Sequence, residues 1–115
     1  MKNKIFTVIP LLFFGSPALG QSKQEIQKKI QKAFPRNYRL VFKVIECESK
    51  WNTKLISQTK DYGLFQIHYI WITKKEIKSG IWKNVDWQIE KAKYIIKQQG
   101  WKAWVCYKKI RREKK

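Results

Sequence analysis

Three carboxylates, Glu46, Glu48 and Asp61, fall within sixteen residues of a chain that has 26 lysines and arginines against only eight acids. A carboxyl kept protonated near neutrality can donate a proton to a leaving group. One kept ionised can stabilise a developing cation, and such a pair flanking a groove is what glycoside hydrolysis requires. Helical phase separates the two glutamates. Glu48 follows Val41, Val44 and Ile45 at spacings of seven, four and three, which extends an apolar stripe. Glu46 lies about 200° further round the helix, with Lys43 and Lys50 spaced to form solvated ion pairs. Glu48 therefore carries the expectation of partial desolvation and a raised pKa, the property of a general acid. Asp61, in the polar context Thr-Lys-Asp-Tyr-Gly, is expected to stay ionised, although an aspartate before Tyr-Gly also suits a turn.

The elements that must position these groups are mostly helical. Residues 23–34 place Ile26, Ile30 and Ala33 or Phe34 on one face, ending at Pro35. A second helix is predicted from Arg36 to about Lys50. Residues 53–63 read as a turn or short hairpin closed by Gly63, and LFQIHYIWI as a short strand or the start of a helix. A further helix, capped by Asn84 or Asp86, carries the stripe Val85, Ile89, Ala92, Ile96 and stops at Gly100. WKAWVCYKKI is apolar enough to pack back as a short final element, and KKIRREKK reads as a solvated, frayed end. No internal repeat or linker divides the chain. The class expected is α+β, mostly helical, with a small hairpin lobe.

The first twenty residues combine a basic start, the ten-residue apolar run IFTVIPLLFF and the small-residue stretch GSPALG. They read as a secretory signal peptide cut after Gly20, leaving 21–115 as one domain. The run is short of the roughly 20 residues that span a bilayer, so no membrane span is expected after cleavage. Export favours a disulfide between the two cysteines, Cys47 and Cys106, closing a loop of about sixty residues and worth about 2–4 kcal/mol. One histidine and two cysteines are too few soft ligands for zinc, and neither a metal nor another cofactor is expected. The net charge of +18 points to polyanionic partners, including anionic bacterial wall polymers. Only four of the cations are arginine, which disfavours specific nucleic-acid reading.

ESKWNT, DYGLFQI and GWKAWVCY resemble the three signature stretches of the animal-type (c-type) lysozymes. The first, with GLFQI, also resembles the bacterial lytic transglycosylases of the same lysozyme-like superfamily. Together the three cover roughly 41–107. The resemblance implies Glu48 as general acid, Ser49 as the small polar residue beside it and Asp61 as nucleophile or ion stabiliser, with Tyr62 in support. It implies Gln66 along the cleft, Trp71 as a platform for a sugar ring, Ala103 as a backbone contact to a substrate N-acetyl group, and Trp104 against the acid. Trp51, Trp82, Trp87 and Trp101 are assigned to packing.

Departures from that pattern are equally specific. The segment between Asn52 and Asp61 is several residues shorter than in animal lysozymes, His68 stands where the family has an asparagine reading the sugar amide, and Ile72 replaces a second tryptophan. The family's four disulfides shrink to at most one, between positions that are not the usual pairs. The resemblance implies an exported monomer, secreted or periplasmic, that cuts the β-1,4 bond between N-acetylmuramic acid and N-acetylglucosamine in peptidoglycan glycan strands. It does so either by hydrolysis with Glu48 and Asp61 or by a transglycosylase reaction using Glu48 alone. A non-catalytic cationic wall-binding or antimicrobial protein on the same scaffold is the reading from a different class.

Overall fold

The computed structural model describes residues 21–113; the signal peptide expected at 1–20 lies outside them. Among the described residues, five helices, α1 (Lys23–Ala33), α2 (Tyr38–Ser49), α3 (Lys74–Ser79), α4 (Val85–Gln99) and α5 (Val105–Glu113), surround a two-stranded antiparallel sheet of β1 (Asp61–Tyr62) and β2 (Ile67–His68). This is the mostly helical α+β class with a reduced hairpin lobe.

Local sequence accounts for most of the boundaries. Ser22 and Glu25 form a reciprocal capping box on α1, which satisfies two otherwise orphaned amides. Its apolar face buries Ile26 and Ile30 against α2 and α4. On α2, Val41, Val44 and Ile45 are wholly buried, each worth about 1.5–3 kcal/mol in apolar burial. The helix ends at Ser49, beyond which Lys50 and Trp51 adopt positive φ of 51° and 69°. Lys50 caps it by donating to the carbonyls of Ile45 and Glu46. Asn84 caps α4 by accepting the Trp87 amide at 2.8 Å.

Several expectations need correction. Residues 53–63 do turn back on themselves, with an antiparallel bridge from Ile56 to Tyr62 and the Gly63 amide donating to the Leu55 carbonyl at 2.8 Å, but the two-stranded sheet lies further on, where Asp61 pairs with His68 and Tyr62 with Ile67. LFQIHYIWI contains both candidates, a strand at 67–68 and then a 3-10 turn at Tyr69–Trp71. Helix α3 was not expected, yet Thr73 and Glu76 supply a capping box at its start. On α4 the buried positions are Val85, Gln88, Ile89, Ala92 and Ile95, whereas Ile96 is only partly covered. Much of the basic tail is ordered: α5 runs to Glu113, and Ile110 is buried because this face lies against the core. The disulfide Cys47–Cys106, with Cα atoms 6.0 Å apart, ties α2 to α5.

Candidate active site

Several elements converge on a small cavity of about 120 Å³ lined by Glu48, Asp61, Gln66, Ile67, His68, Trp71, Ile95, Ala103, Trp104 and Val105. The end of α2 supplies Glu48, the hairpin supplies Asp61 and His68, and the 3-10 turn Trp101–Ala103 with the start of α5 closes the third side. Residues far apart in sequence thus share one wall-to-wall space.

Glu48 is half-buried, and among the described residues the one hydrogen bond to its carboxylate comes from the Cys106 amide, at 3.4 Å. Burial pushes its pKa up from the ordinary 4.5 to about 7. The Cys106 amide opposes the shift, and the nearby charge of Asp61 adds to it. Trp104 shares the cavity with it, held in place by its indole N–H donating to the Phe65 carbonyl at 2.6 Å.

Asp61 has the opposite environment. Partial burial would raise its pKa, but hydrogen bonds from Thr59, His68 and Ser57 outweigh it and hold the carboxyl below the usual aspartate value. Ser57 Oγ donates to Oδ2 at 2.8 Å, Thr59 Oγ1 donates to the same oxygen, and His68 Nδ1 lies 2.9 Å from Oδ1. The Asp61 amide in turn donates to Ser57 Oγ at 3.1 Å. The shortened loop therefore wraps its own hydroxyls around the acid. One carboxyl is positioned to hold a proton near neutrality while the other stays ionised.

The remaining sequence-derived positions separate into two groups. Gln66, His68, Trp71, Ala103 and Trp104 line the cavity. Gln66 also braces the loop, donating from Nε2 to the carbonyls of Gly63 and Leu55 at 3.0 and 3.2 Å. Ser49 and Tyr62 do not line it. Ser49 Oγ turns back to the Ile45 carbonyl at 3.2 Å, and Tyr62 packs edge-on against Trp82 with ring centroids 4.9 Å apart. Glu46 faces away, but its partners are not Lys43 and Lys50: the Trp51 indole donates to it at 3.1 Å and Lys23 lies 4.0 Å off. The positive φ at Lys50 and Trp51 turns the chain so that Trp51 comes back beside α2. A larger groove of about 750 Å³ on that side is walled by Lys23, Lys43, Lys50, Lys109 and Trp51; it holds Glu46 but neither Glu48 nor Asp61.

Gln88 was missed by the sequence reading. Its side chain is wholly buried, accepts the Leu64 amide at 2.9 Å, and donates to the carbonyls of Thr53 and Trp82, each at 2.9 Å. A Cβ at Gly63 would approach the Gln88 amide to 2.6 Å, so the loop carrying Asp61 is seated directly on this side chain. The available signal was its position, three beyond Val85 on the buried side of α4.

The family model for the transglycosylase SLT domain matches residues 25–93, more than half of the chain. The chain belongs to the transglycosylase SLT domain family. The match spans the SLT-domain residues Glu48, Asp61, Gln66, His68, Trp71 and Gln88, and ends before the segment bearing Ala103, Trp104 and Cys106. This SLT domain is also similar to Lysozyme 2 of Lucilia sericata, with 24% identity over 129 residues covering 94% of this chain and 91% of that protein. No solved structure matches it.

Proposed function

We propose that this SLT-domain protein is an exported muramidase that cuts the β-1,4 bond between N-acetylmuramic acid and N-acetylglucosamine in peptidoglycan, with Glu48 protonating the leaving oxygen. The reading is carried by the pair of carboxyls on one cavity, Glu48 raised to about 7 and Asp61 held low by three side-chain donors. Asp61 has hydrogen bonds on both oxygens, which suits it to stabilise a positive charge at the anomeric carbon better than to attack that carbon. Trp71 and Ala103, which line the cavity, offer a face for a sugar ring and a backbone for an N-acetyl group. The net charge of +18 favours attraction to anionic wall polymers, and the leader expected at 1–20 delivers the domain to the wall.

Family membership favours a second reading, in which Glu48 first donates its proton and then returns as base for the sugar's own 6-hydroxyl, giving an anhydro end. Turbidity clearing of purified walls by the wild type and by Glu48→Gln, with mass analysis of the released muropeptides, tests both. Hydrolysis leaves reducing ends; the transglycosylase reaction leaves products lighter by one water. Clearing that survives Glu48→Gln unchanged would reject catalysis by this site and favour a cationic wall-binding protein.

A further inference from the structure

His68 is the only histidine in the chain, and the fold gives it a partner that changes its chemistry. In the hairpin register Asp61 and His68 are directly opposed, so their side chains share one face of the sheet. The Nδ1 to Oδ1 separation is 2.9 Å. Ser57 and Thr59 donate to the other Asp61 oxygen, which keeps the carboxylate ionised and able only to accept. The proton in the His68–Asp61 bond must then sit on Nδ1, and in the neutral ring Nε2 is left with its lone pair. The ring is also held from one side, with its centroid 4.6 Å from that of Tyr69. Its side chain remains 41% exposed and lines the same cavity as Glu48.

An amide in this place could donate to Asp61 in the same way, but it has no basic atom to offer. The imidazole does both. Resting on the muramidase reading above, we propose that His68, oriented by Asp61, is the general base that activates the hydrolytic water. Nε2 takes a proton from water as the water oxygen bonds to the anomeric carbon from the hairpin side. The bond from that carbon to the leaving oxygen breaks, its electron pair stays with the oxygen, and Glu48 supplies the proton. The product is an α-hemiacetal, inverted from the β-linkage. The imidazolium, paired with Asp61, then returns its proton to solvent, and the Glu48 carboxylate takes one up. Asp61 is a positioning residue in this scheme, and it stabilises positive charge on the imidazole as well as on the sugar. The titratable groups around the ring are Asp61 on the facing strand, Tyr69 beside it and Glu48 across the cavity.

The test uses the purified protein on soluble glycan strands, with wild type, Glu48→Gln, His68→Asn and His68→Ala, and proton NMR to read the first anomer formed. Wild type should release the α anomer first. His68→Asn, which keeps a donor for Asp61, should lose about 10²- to 10⁴-fold in kcat with little change in KM. His68→Ala should lose as much and regain at least tenfold with added imidazole. A β anomer first, anhydro ends alone, or His68→Asn within about threefold of wild type overturns the assignment while leaving Glu48-dependent cleavage standing. No cleavage by wild type, or full activity in Glu48→Gln, overturns the muramidase reading and the base with it. A β anomer from wild type overturns the base even if a His68 variant fails to fold.

Discussion

Glu48 has one long hydrogen bond from a backbone amide, whereas Asp61 has three from side chains, and that difference sets their opposite charge states. Since Glu48 must be protonated to act as acid, cleavage should decline as pH rises through about 7, read from initial rates on soluble glycan strands; a rate still rising at pH 9 would remove Glu48 from the role. The same shift has a stability consequence. The folded state holds the Glu48 proton more tightly than the unfolded state, so between the ordinary 4.5 and about 7 the folded chain binds more protons and stability falls as pH rises. Glu48→Gln lacks this loss. It should be more stable than wild type at pH 8 by about 1–2 kcal/mol, once the partial exposure of the carboxyl is allowed for, with the difference vanishing near pH 4. Denaturant melts at the two pH values check this. Helical phase was enough to single out Glu48 in the sequence; it carried no information about the partners of Glu46, because Trp51 reaches that acid only through the left-handed turn after α2.

Element by element, the hairpin lobe depends on α4. Gln88 joins the amide of Leu64 and the carbonyls of Thr53 and Trp82, so one side chain closes the loop that carries Asp61. Gln88→Ala would strand all three partners in the interior and should cost about 3 kcal/mol or more, with activity falling further than stability alone explains because Asp61 and His68 lose their seat. Urea unfolding combined with kcat measured well below the melting range separates the two effects. Unchanged stability would mean that the lobe is held by its own turns. Helix α3 shows a signal present in the sequence but passed over: Thr73 and Glu76 have capping-box spacing before a short polar run. Periodicity fails on so short an element, since six residues hardly complete two turns.

At the scale of the whole molecule, a small domain of high positive charge must resist its own repulsion, and the Cys47–Cys106 bridge joins residues 59 apart across α2 and α5. Cys106 also presents its amide to Glu48, so the staple and the acid share a residue. The double variant Cys47→Ser, Cys106→Ser should lose about 2–4 kcal/mol by release of loop-closure entropy, measured by urea unfolding against the oxidised wild type. A loss below about 0.5 kcal/mol would show that helix packing alone holds α5 in place. The pairing was legible from two cysteines in a chain whose first twenty residues read as an export signal. Its position beside the acid was legible only by resemblance.

Sequence alone determined what depends on short-range repeats: the apolar stripes of α1 and α2, the rotation of Glu48 away from Glu46, a cap at Asn84 or Asp86, and the motifs that match the SLT family. Tertiary structure decided what depends on partners distant along the chain. Gln88 meets Leu64 across 24 residues and Thr53 across 35, and Cys106 meets Glu48 across 58. A polar residue on a helix shows its preference for water in the sequence, whereas its satisfaction in the interior depends on which backbone groups the fold brings to it. The hairpin register is of the same kind. Shifting it by one residue would turn His68 to the opposite face, so the Asp61–His68 pair exists only because the loop and α4 together set which strand residues face each other.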